Sequence, residues 1–448
     1  MVGLTSVAIS APASIARADG LSSDCELPTN DAETAFEVSN GADLAILRTD
    51  PDCLDQPIVQ TQDIPLDAVL DEDFITNGIS SFSGDYNGGG YSIVYPDAGW
   101  LPTPGVFATI SDATVYSLSV DSGDVALLPE KGWIAGTATD SIFGGVSSNG
   151  VISDDGGGIV GMGSVDVIVT NSSSSGPITG NNSGGIVGPY SIGAHVYDSY
   201  STGTIGTDDH PSAGGIIGPW ANISASETDP PLWVENSFAA GDIIGNSSGG
   251  IIGGSVNLGS EGSRVLVRGS FSTGAILGSY AGGIIGDNAN RLAVDSTITI
   301  ESSFSTGAIL GSGSGGIMGA LANFESVEST VEVTGVFSTG EINGAFSGGI
   351  IGSSANAVAE SSNVEVDHAY SRGDISGTYA GGIIGSSANY DATYTSRGEE
   401  YAAVSVTSSY STGSVLGSDA GGIFGDYEGT DAWGILSDSN YAVGDFEG

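Results

Sequence analysis

Residues 331–352 read VEVTGVFSTGEINGAFSGGIIG, and this stretch recurs along the chain in recognisable form. It joins an alternating Val-Glu-Val segment, an aromatic-Ser-Thr-Gly motif and the pentapeptide Gly-Gly-apolar-apolar-Gly. The pentapeptide occurs nine times, at intervals of 27 to 40 residues, beginning at Gly157, Gly184, Gly214, Gly249, Gly282, Gly315, Gly348, Gly381 and Gly421. A period of about 20–50 residues predicts a stacked array, because one repeat cannot bury its own apolar side.

The segment before each aromatic motif alternates with a period of two. Val331 and Val333 flank Glu332, and similar apolar pairs precede the motif in six consecutive repeats. This alternation predicts a strand with one buried face. A second apolar column follows the aromatic by five residues, and the Ile of each pentapeptide forms a third. We therefore predict three short strands per repeat in an all-β, right-handed parallel β-helix, a solenoid with about one coil per 27–40-residue repeat.

An asparagine stands four residues after the last glycine of the pentapeptide in six consecutive repeats. These residues are Asn222, Asn257, Asn290, Asn323, Asn356 and Asn389. Asparagine tolerates the left-handed backbone of a turn, and its amide group both donates and accepts hydrogen bonds. Stacked in register, the side chains are predicted to form a ladder. The alternative is a set of asparagines at loop tips.

The composition restricts the partners of this chain. Its 448 residues include 54 acidic residues against 8 lysines and arginines, for a formal net charge of −46. A surface this negative repels phosphate, which disfavours nucleic acid and anionic membranes. After residue 18, no apolar run approaches the roughly 18 residues of a transmembrane helix. Cations, neutral sugars or a salty medium that screens the charge fit this composition.

The N-terminal part differs from the repeats. Residues 1–18 are apolar and end in Ala-Arg-Ala, which predicts a signal peptide whose start is truncated or misassigned, because a basic n-region is missing. Residues 19–80 are predicted to form an irregular N-terminal cap with a short helix at Ala42–Arg48. In this cap Cys25 and Cys53 either form one disulfide or stay unpaired thiols. The solenoid is predicted to span residues 81–448, with regular repeats from about 157 to 425.

The repeats also resemble a known family. Gly-Gly-Ile-Ile-Gly preceded by Tyr/Phe-Ser-Thr-Gly resembles the GLUG-motif repeat of bacterial surface proteins. Residues 62–66 (QDIPL) and 82–91 (FSGDYNGGGY) are similar to the lead-in that such proteins carry before their repeats. The resemblance covers most of the chain after the leader. It implies an exported or surface-attached, adhesin-like β-solenoid, a shape also found in accessory regions of IgA-specific zinc metallopeptidases. It does not imply one biochemical activity.

No catalytic or metal-binding constellation emerges from the sequence. The three histidines are His195, His210 and His368, and none belongs to an H-E-x-x-H motif. Carboxylates are abundant, with Asp154-Asp155 and Asp208-Asp209 as the tightest pairs. They keep open the alternative of a carbohydrate-active enzyme, a polysaccharide lyase or glycosidase of β-helix fold. Calcium suits the many oxygen ligands but cannot be assigned to residues. Ice binding is a third hypothesis, although Ala240 and Arg372 interrupt its threonine column.

Two groups of aromatic residues are the predicted binding surfaces. The first group stands two residues before Gly-Gly, at a corner with little room inward, and consists of Tyr280, Phe346 and Tyr379. The second lies in the variable loop after the asparagine column and consists of Tyr390, Tyr394 and Tyr401. The alternative is that these rings only cover corner backbone. We therefore predict a secreted or cell-surface, non-enzymatic module for adhesion, binding or structure, with extracellular glycans or host-cell surfaces as partners.

Overall fold

The computed structural model describes residues 21–97, 99, 101–209, 211–393, 403–426 and 435–444. In this part the chain is almost entirely β-structure, and its strands pair in parallel from coil to coil. The predicted fold class, a parallel β-solenoid, is thereby confirmed. Within the described ranges, no helix is both long and apolar enough to cross a bilayer.

Each regular coil contains two strands. The first strand carries the alternating apolar segment and spans Ile142–Gly144, Ile168–Thr170, His195–Tyr197, Leu232–Glu235, Arg264–Arg268, Thr297–Glu301, Thr330–Thr334, Asn363–Asp367, Ala403–Thr407 and Ile435–Asp438. The second strand has two residues and spans Ser147–Ser148, Ser173–Ser174, Tyr200–Ser201, Phe238–Ala239, Phe271–Ser272, Phe304–Ser305, Phe337–Ser338, Tyr370–Ser371, Tyr410–Ser411 and Tyr441–Ala442. The pairing keeps equivalent residues in register, so that Val331 lies between Ile298 and Val364.

The remainder of each regular coil is held by single-residue bridges. Ile309 bridges to Ile276 and Ile342, and Gly315 bridges to Gly282 in the same way. Corners with positive φ lie between and after these bridges, for example at Gly313 (φ 69°) and Leu321 (φ 62°). Because these corners end the extended conformation after one or two residues, the second and third predicted strands are reduced to two-residue segments and single-residue bridges. The prediction of three strands per repeat was wrong in this detail.

The coils before the regular repeats are less uniform. Their strands are Phe36–Val38, Ile58–Gln60, Ile64–Pro65, Asp85–Val94, Pro102–Thr103, Ile110–Ser111, Thr114–Asp121, Ala126–Leu127 and Ala138–Thr139. Their helices are Gly41–Thr49, Glu72–Asn77 and the 3-10 helix Pro51–Cys53. Parallel pairing starts where Phe36 meets Ile58, and Ile58 in turn meets Tyr86. The boundary predicted at residue 81 therefore does not mark the start of the parallel sheet.

The predicted capping helix is present at Gly41–Thr49. It begins after Asn40, whose side chain accepts hydrogen bonds from the N–H groups of Ala42 and Asp43. Cys25 and Cys53 form a disulfide that ties the first described residues to the end of this helical region, with their Cα atoms 4.9 Å apart. The signal peptide predicted for residues 1–18 lies outside the described residues.

The interior of the repeat coils is narrow and strictly columnar. Both isoleucines of each Gly-Gly-Ile-Ile-Gly copy, such as Ile350 and Ile351, are fully buried, as are Val331 and Val333. A Cβ atom on Gly316 would collide with the carbonyl oxygen of the next coil. The paired glycines are therefore needed because two layers of backbone approach each other too closely to admit a side chain.

Candidate functional site

The first group of predicted binding aromatics lies on one corner of the solenoid. This corner column, the residues two positions before Gly-Gly, consists of Ser247, Tyr280, Gly313, Phe346, Tyr379 and Asp419, and all have positive φ. Tyr280 is 47% exposed and Phe346 40% exposed, whereas Tyr379 is half-buried. The strained corner backbone turns the side chains away from the interior, as the sequence predicts.

The rings of the corner column form an interrupted row. Phe346 and Tyr379 stack with centroids 5.3 Å apart and ring planes 8° apart. Tyr280 leans over Gly313 of the next coil, where an added Cβ atom would lie 2.8 Å from Tyr280 Cδ1. The alternative that a ring covers corner backbone therefore applies to Tyr280 over Gly313. The stacked pair Phe346 and Tyr379 remains a small aromatic platform.

Only one member of the second predicted group, Tyr390, lies among the described residues. Tyr390 is 41% exposed and follows Asn389, so it lies on the surface beside the asparagine column. Tyr394 and Tyr401 lie outside the described residues. The grouping of the three tyrosines of this loop therefore stays a prediction.

A longer row of aromatic side chains was missed by the sequence reasoning. We call it the outer aromatic stack, and it consists of Tyr200, Phe238, Phe271, Phe304, Phe337, Tyr370 and Tyr410. Neighbouring centroids are 4.7 to 5.1 Å apart and the ring planes differ by 1° to 6°. The aromatic residue that begins each Ser-Thr-Gly motif could have predicted this stack, because equivalent rings one coil apart stack on each other if they point outward.

The outer face of the first strands carries an open groove of about 710 Å³. Its lining is Glu332, Thr334, Asn363, Glu365, Val366, Asp367, Ala403, Ser405, Thr407 and Leu436. Glu332 and Glu365 are register partners on neighbouring strands. Asp367 accepts a hydrogen bond of 2.7 Å from the Thr407 hydroxyl. The groove therefore offers carboxylates, hydroxyls and an amide to a ligand. Period-two alternation places Glu332 outward, but only the register between coils shows which outward residues share this groove.

The six predicted ladder asparagines are all buried, with φ between 54° and 59°. Three direct side-chain links connect Asn257 to Asn290 (3.0 Å), Asn290 to Asn323 (3.1 Å), and Asn356 to Asn389 (2.7 Å). Two links differ from the prediction. The Asn222 amide donates to the Ser263 hydroxyl at 3.2 Å, and that hydroxyl donates to Asn257 Oδ1. The Asn323 amide donates to the Asn363 carbonyl oxygen at 2.7 Å. The asparagine column thus joins neighbouring coils and has a structural role. Where two asparagines do not bond directly, a serine hydroxyl or a backbone carbonyl oxygen is the partner.

The described histidines have local partners. His195 stacks on Trp233 with centroids 4.8 Å apart, and its Nε2 lies 3.0 Å from the Pro231 carbonyl oxygen. Burial lowers the pKa of His195, which favours the neutral ring. His368 pairs with its neighbour Asp367 on the surface, and His210 lies outside the described residues.

Neither acidic pair nor the cysteines build a catalytic or metal centre in the described ranges. Asp154 accepts a hydrogen bond from the Asn181 N–H at 2.8 Å, and Asp155 accepts one from the Asn182 amide at 3.1 Å, so this pair joins neighbouring coils. Asp208 and Asp209 are exposed in a loop. Among the described residues, the one metal-type cluster is Cys25, Asp50 and Cys53, whose two sulfur atoms are already joined in the disulfide.

The geometry leaves three surfaces on the solenoid: the corner column, the outer aromatic stack and the acidic groove. Each arises from positions that recur in successive coils, which is also the basis of the resemblance to GLUG-motif proteins. That resemblance stays a prediction. The chain matches no protein-family model, no curated protein and no solved structure.

Proposed function

We propose that this chain is a non-enzymatic extracellular or cell-surface β-solenoid that binds neutral glycans at the corner column. The observation that carries the proposal is the interrupted row of rings on this corner, in which, among the described residues, Phe346 and Tyr379 stack on each other and on no further ring. Sugars pack their apolar C–H faces against aromatic ring faces, and exposed aromatic patches on a soluble protein mark binding surfaces.

The outer aromatic stack is less suited to this role. Each inner ring, such as Phe304, is covered on both faces by rings whose centroids are 4.7 to 5.1 Å away, so it presents only its edge to solvent. In the corner column, by contrast, the neighbours of the rings include Ser247, Gly313 and Asp419, which carry no ring. We therefore assign the outer stack a structural role and the corner column the binding role.

The charge of the chain supports a neutral rather than an anionic ligand. The net charge is −46, and the groove adds Glu332, Glu365 and Asp367 to one face of the coils that carry Phe346 and Tyr379. Uronic or sialic acids would approach against this potential, whereas neutral sugars and cationic groups would not. The carboxylates and hydroxyls of the groove supply further hydrogen-bond partners for sugar hydroxyls.

Two observations support export. The Cys25–Cys53 disulfide suits an oxidising compartment, since disulfides are rare in the reducing cytosol. The resemblance of the repeats to GLUG-motif surface proteins points the same way. Adhesion or a structural role at a cell surface then follows from a long, repetitive scaffold that displays its binding positions at fixed intervals.

A glycan array tests the proposal with two matched variants. We expect Phe346→Ala/Tyr379→Ala to lose at least about tenfold in affinity for the glycans that the parent binds, which corresponds to about 1.4 kcal/mol. The control is Tyr190→Ala/Trp220→Ala, which removes another stacked pair, with centroids 4.9 Å apart, and is expected to bind as the parent does. If the parent binds no neutral glycan, or both variants bind equally well, the proposal is wrong.

The acidic groove favours a second candidate function, a carbohydrate-active enzyme. Glu332 and Glu365 sit on adjacent strands, where the inter-strand spacing is about 4.8 Å, and paired carboxylates near 5 Å carry out retaining glycoside hydrolysis. Both side chains are exposed, so neither has the buried surroundings that make a carboxyl group a general acid. Release of reducing sugars or unsaturated products from a polysaccharide panel, abolished by Glu332→Gln or Glu365→Gln, would establish this alternative.

A further inference from the structure

One buried acid breaks the pattern of the repeats. Asp287 follows the pentapeptide directly, at a position that is otherwise small in the neighbouring coils, with Gly254 before it and Ala320 and Ser353 after it. Asp287 is only 6% exposed. Its carboxyl group reaches back over Gly254 of the preceding coil, where an added Cβ atom would lie 2.5 Å from Asp287 Oδ1. The acid is thus packed between two coils.

The carboxyl group of Asp287 accepts hydrogen bonds, one of them from its own backbone N–H, and also lies close to an oxygen that has no donor in the described ranges. The Ser247 hydroxyl and the Asn288 amide both donate to Asp287 Oδ2, at 2.9 and 2.8 Å. The Ser247 carbonyl oxygen faces the same point above Gly254, 2.8 Å from the added Cβ atom. Among the described residues this carbonyl receives no hydrogen bond, and the buried Asn288 Oδ1 has no partner. A deprotonated Asp287 would leave the Ser247 carbonyl oxygen close to a negative charge.

No cation balances Asp287 within the described chain. The one charged side chain that acts on it is Arg291, four residues further on. The Arg291 guanidinium is already held by Glu325 at 3.3 Å and lies over the Phe324 ring, 5.4 Å from its centroid. A buried carboxylate without its own ion pair is costly, so the missing positive charge is most simply supplied by a proton.

We propose that Asp287 is a proton-binding latch between the coil of Ser247 and the coil of Asn288, closed by its neutral carboxyl group and loosened when that group ionises. In the neutral state one carboxyl oxygen becomes a donor, and the Ser247 carbonyl oxygen is the free acceptor beside it. Burial raises the pKa of Asp287 to about 7, in agreement with this geometry. The latch includes Ser247, which precedes Tyr280 in the corner column, yet it does not depend on what that column binds.

The direction of the pH effect follows from the raised pKa. Below about pH 4, both the folded and the unfolded states hold the proton. Between about pH 4 and 7 only the folded state holds it, so the folding equilibrium constant falls by up to about tenfold per pH unit. Above about pH 7 neither state holds the proton and the loss is complete. The latch therefore stabilises the coil at acidic pH and releases it as the pH rises through 7.

Amide hydrogen exchange between pH 5 and 9 tests the latch in the full chain. The Ser255 N–H donates to the Asp287 carbonyl oxygen at 2.7 Å, and the Ser354 N–H makes the equivalent bond of 2.8 Å to the carbonyl oxygen of Ser386, which takes the place of Asp287 in its coil. We expect the protection factor of Ser255 to fall relative to that of Ser354 up to about pH 7 and then to level off. Equal pH profiles for the two amides would overturn the proposal.

Two variants distinguish the effect of Asp287 protonation from that of general repulsion between carboxylates. Asp287→Asn mimics the neutral acid, and we expect it to keep Ser255 protected up to pH 9. Asp242→Asn removes an exposed carboxylate that accepts the Ala275 N–H at 2.8 Å, and we expect it to follow the parent profile. If Asp287→Asn does not fold, Asp287→Ala takes its place, since Ala320 occupies this position in a neighbouring coil. A pH profile that Asp287→Asn and Asp287→Ala leave unchanged, or that Asp242→Asn flattens equally, would contradict the latch.

Discussion

The N-terminal coils, residues 36–143, and the repeat coils, residues 157–426, stack in the same way but use aromatic side chains oppositely. The largest fully buried side chains all belong to the first region and include Trp133, Tyr86, Tyr95, Phe82 and Phe107. None of these rings stack in parallel: the planes of Tyr86 and Phe107 differ by 79°, those of Tyr95 and Trp133 by 70°, and those of Phe82 and Phe107 by 38°. In the repeat coils the rings of the outer aromatic stack lie outside and are nearly parallel.

The difference shows what in-register repetition can and cannot build. A single translation carries each repeat residue onto its equivalent, so identical rings stack face to face and identical Val or Ile residues form columns. The first coils carry different side chains at equivalent positions, for example Ile79, Phe107 and Ala135. They are filled by unlike residues in edge-to-face contacts and are tied by helices and a disulfide, which protects the end of the parallel sheet.

The interior columns of the repeats should be the least tolerant part of this arrangement. Val333 is fully buried between Ile300 and Val366, whereas its neighbour Glu332 is exposed on the other face of the strand. We expect Val333→Asp to destabilise its coils by at least about 4 kcal/mol, because it buries an unpaired carboxylate. Glu332→Lys should stay within about 0.5 kcal/mol of the parent. Urea unfolding measures both, and equal losses of stability would show that the strand register is wrong.

Replacing one phenylalanine in each region compares the two regions directly. Phe107 is fully buried in the N-terminal coils, with its ring 4.9 Å from Phe82, and Phe304 belongs to the outer aromatic stack. We expect Phe107→Ala to cost about 3–5 kcal/mol, because it opens a cavity in an unrepeated core. Phe304→Ala should cost about 1–2 kcal/mol, since it loses two ring stacks at a half-solvated position. Thermal and urea unfolding decide the order. A larger cost for Phe304→Ala would make the outer stack the main stabilising element.

The disulfide tests how far an effect travels along the solenoid. Replacing Cys25 and Cys53 by serine removes a cross-link between positions 28 apart, and we expect a cost of about 2–4 kcal/mol. Because each coil contacts mainly its neighbours, the loss of hydrogen-exchange protection should concentrate in residues 36–94. The repeat coils beyond residue 157 should keep their protection. Uniform loss along the chain would show that the solenoid unfolds as one cooperative unit.

The sequence predicted the parts of the fold that depend on one repeated position. The period, the buried Val column and the asparagine column all follow from spacing alone, and the structure places them as buried stacked columns. The extent of the second and third strands did not follow, because corners with positive φ interrupt them and such conformations occur here at Leu321 and Phe346 as well as at Asn and Gly. The groove and the partners of Asp287 depend on contacts between coils. The spacing of residues along the sequence could therefore not predict them.

The smallest predicted effect separates two columns of buried serines in the same coil. Ser329 donates to the Val327 carbonyl oxygen at 3.0 Å and accepts the Ser296 N–H at 3.2 Å, so its hydroxyl joins two coils. The Ser338 hydroxyl is equally buried, but within the described part of the chain it has no hydrogen-bond partner. It rests instead against Gly316 on the opposite wall of the narrow interior.

Ser329→Ala should therefore cost about 1 kcal/mol or more, because it leaves the Ser296 N–H buried without an acceptor. Ser338→Ala should be neutral or stabilising by up to about 1 kcal/mol, because it removes a buried hydroxyl that gains nothing from folding. Each serine has a serine in the equivalent position of both neighbouring coils, so the two variants differ only in their hydrogen bonding. Urea midpoints measured side by side distinguish them. A cost for Ser338→Ala as large as that for Ser329→Ala would mean that the Ser338 hydroxyl has a partner inside the coil, and that the repeat interior is more polar and better hydrated than its columns of Val and Ile imply.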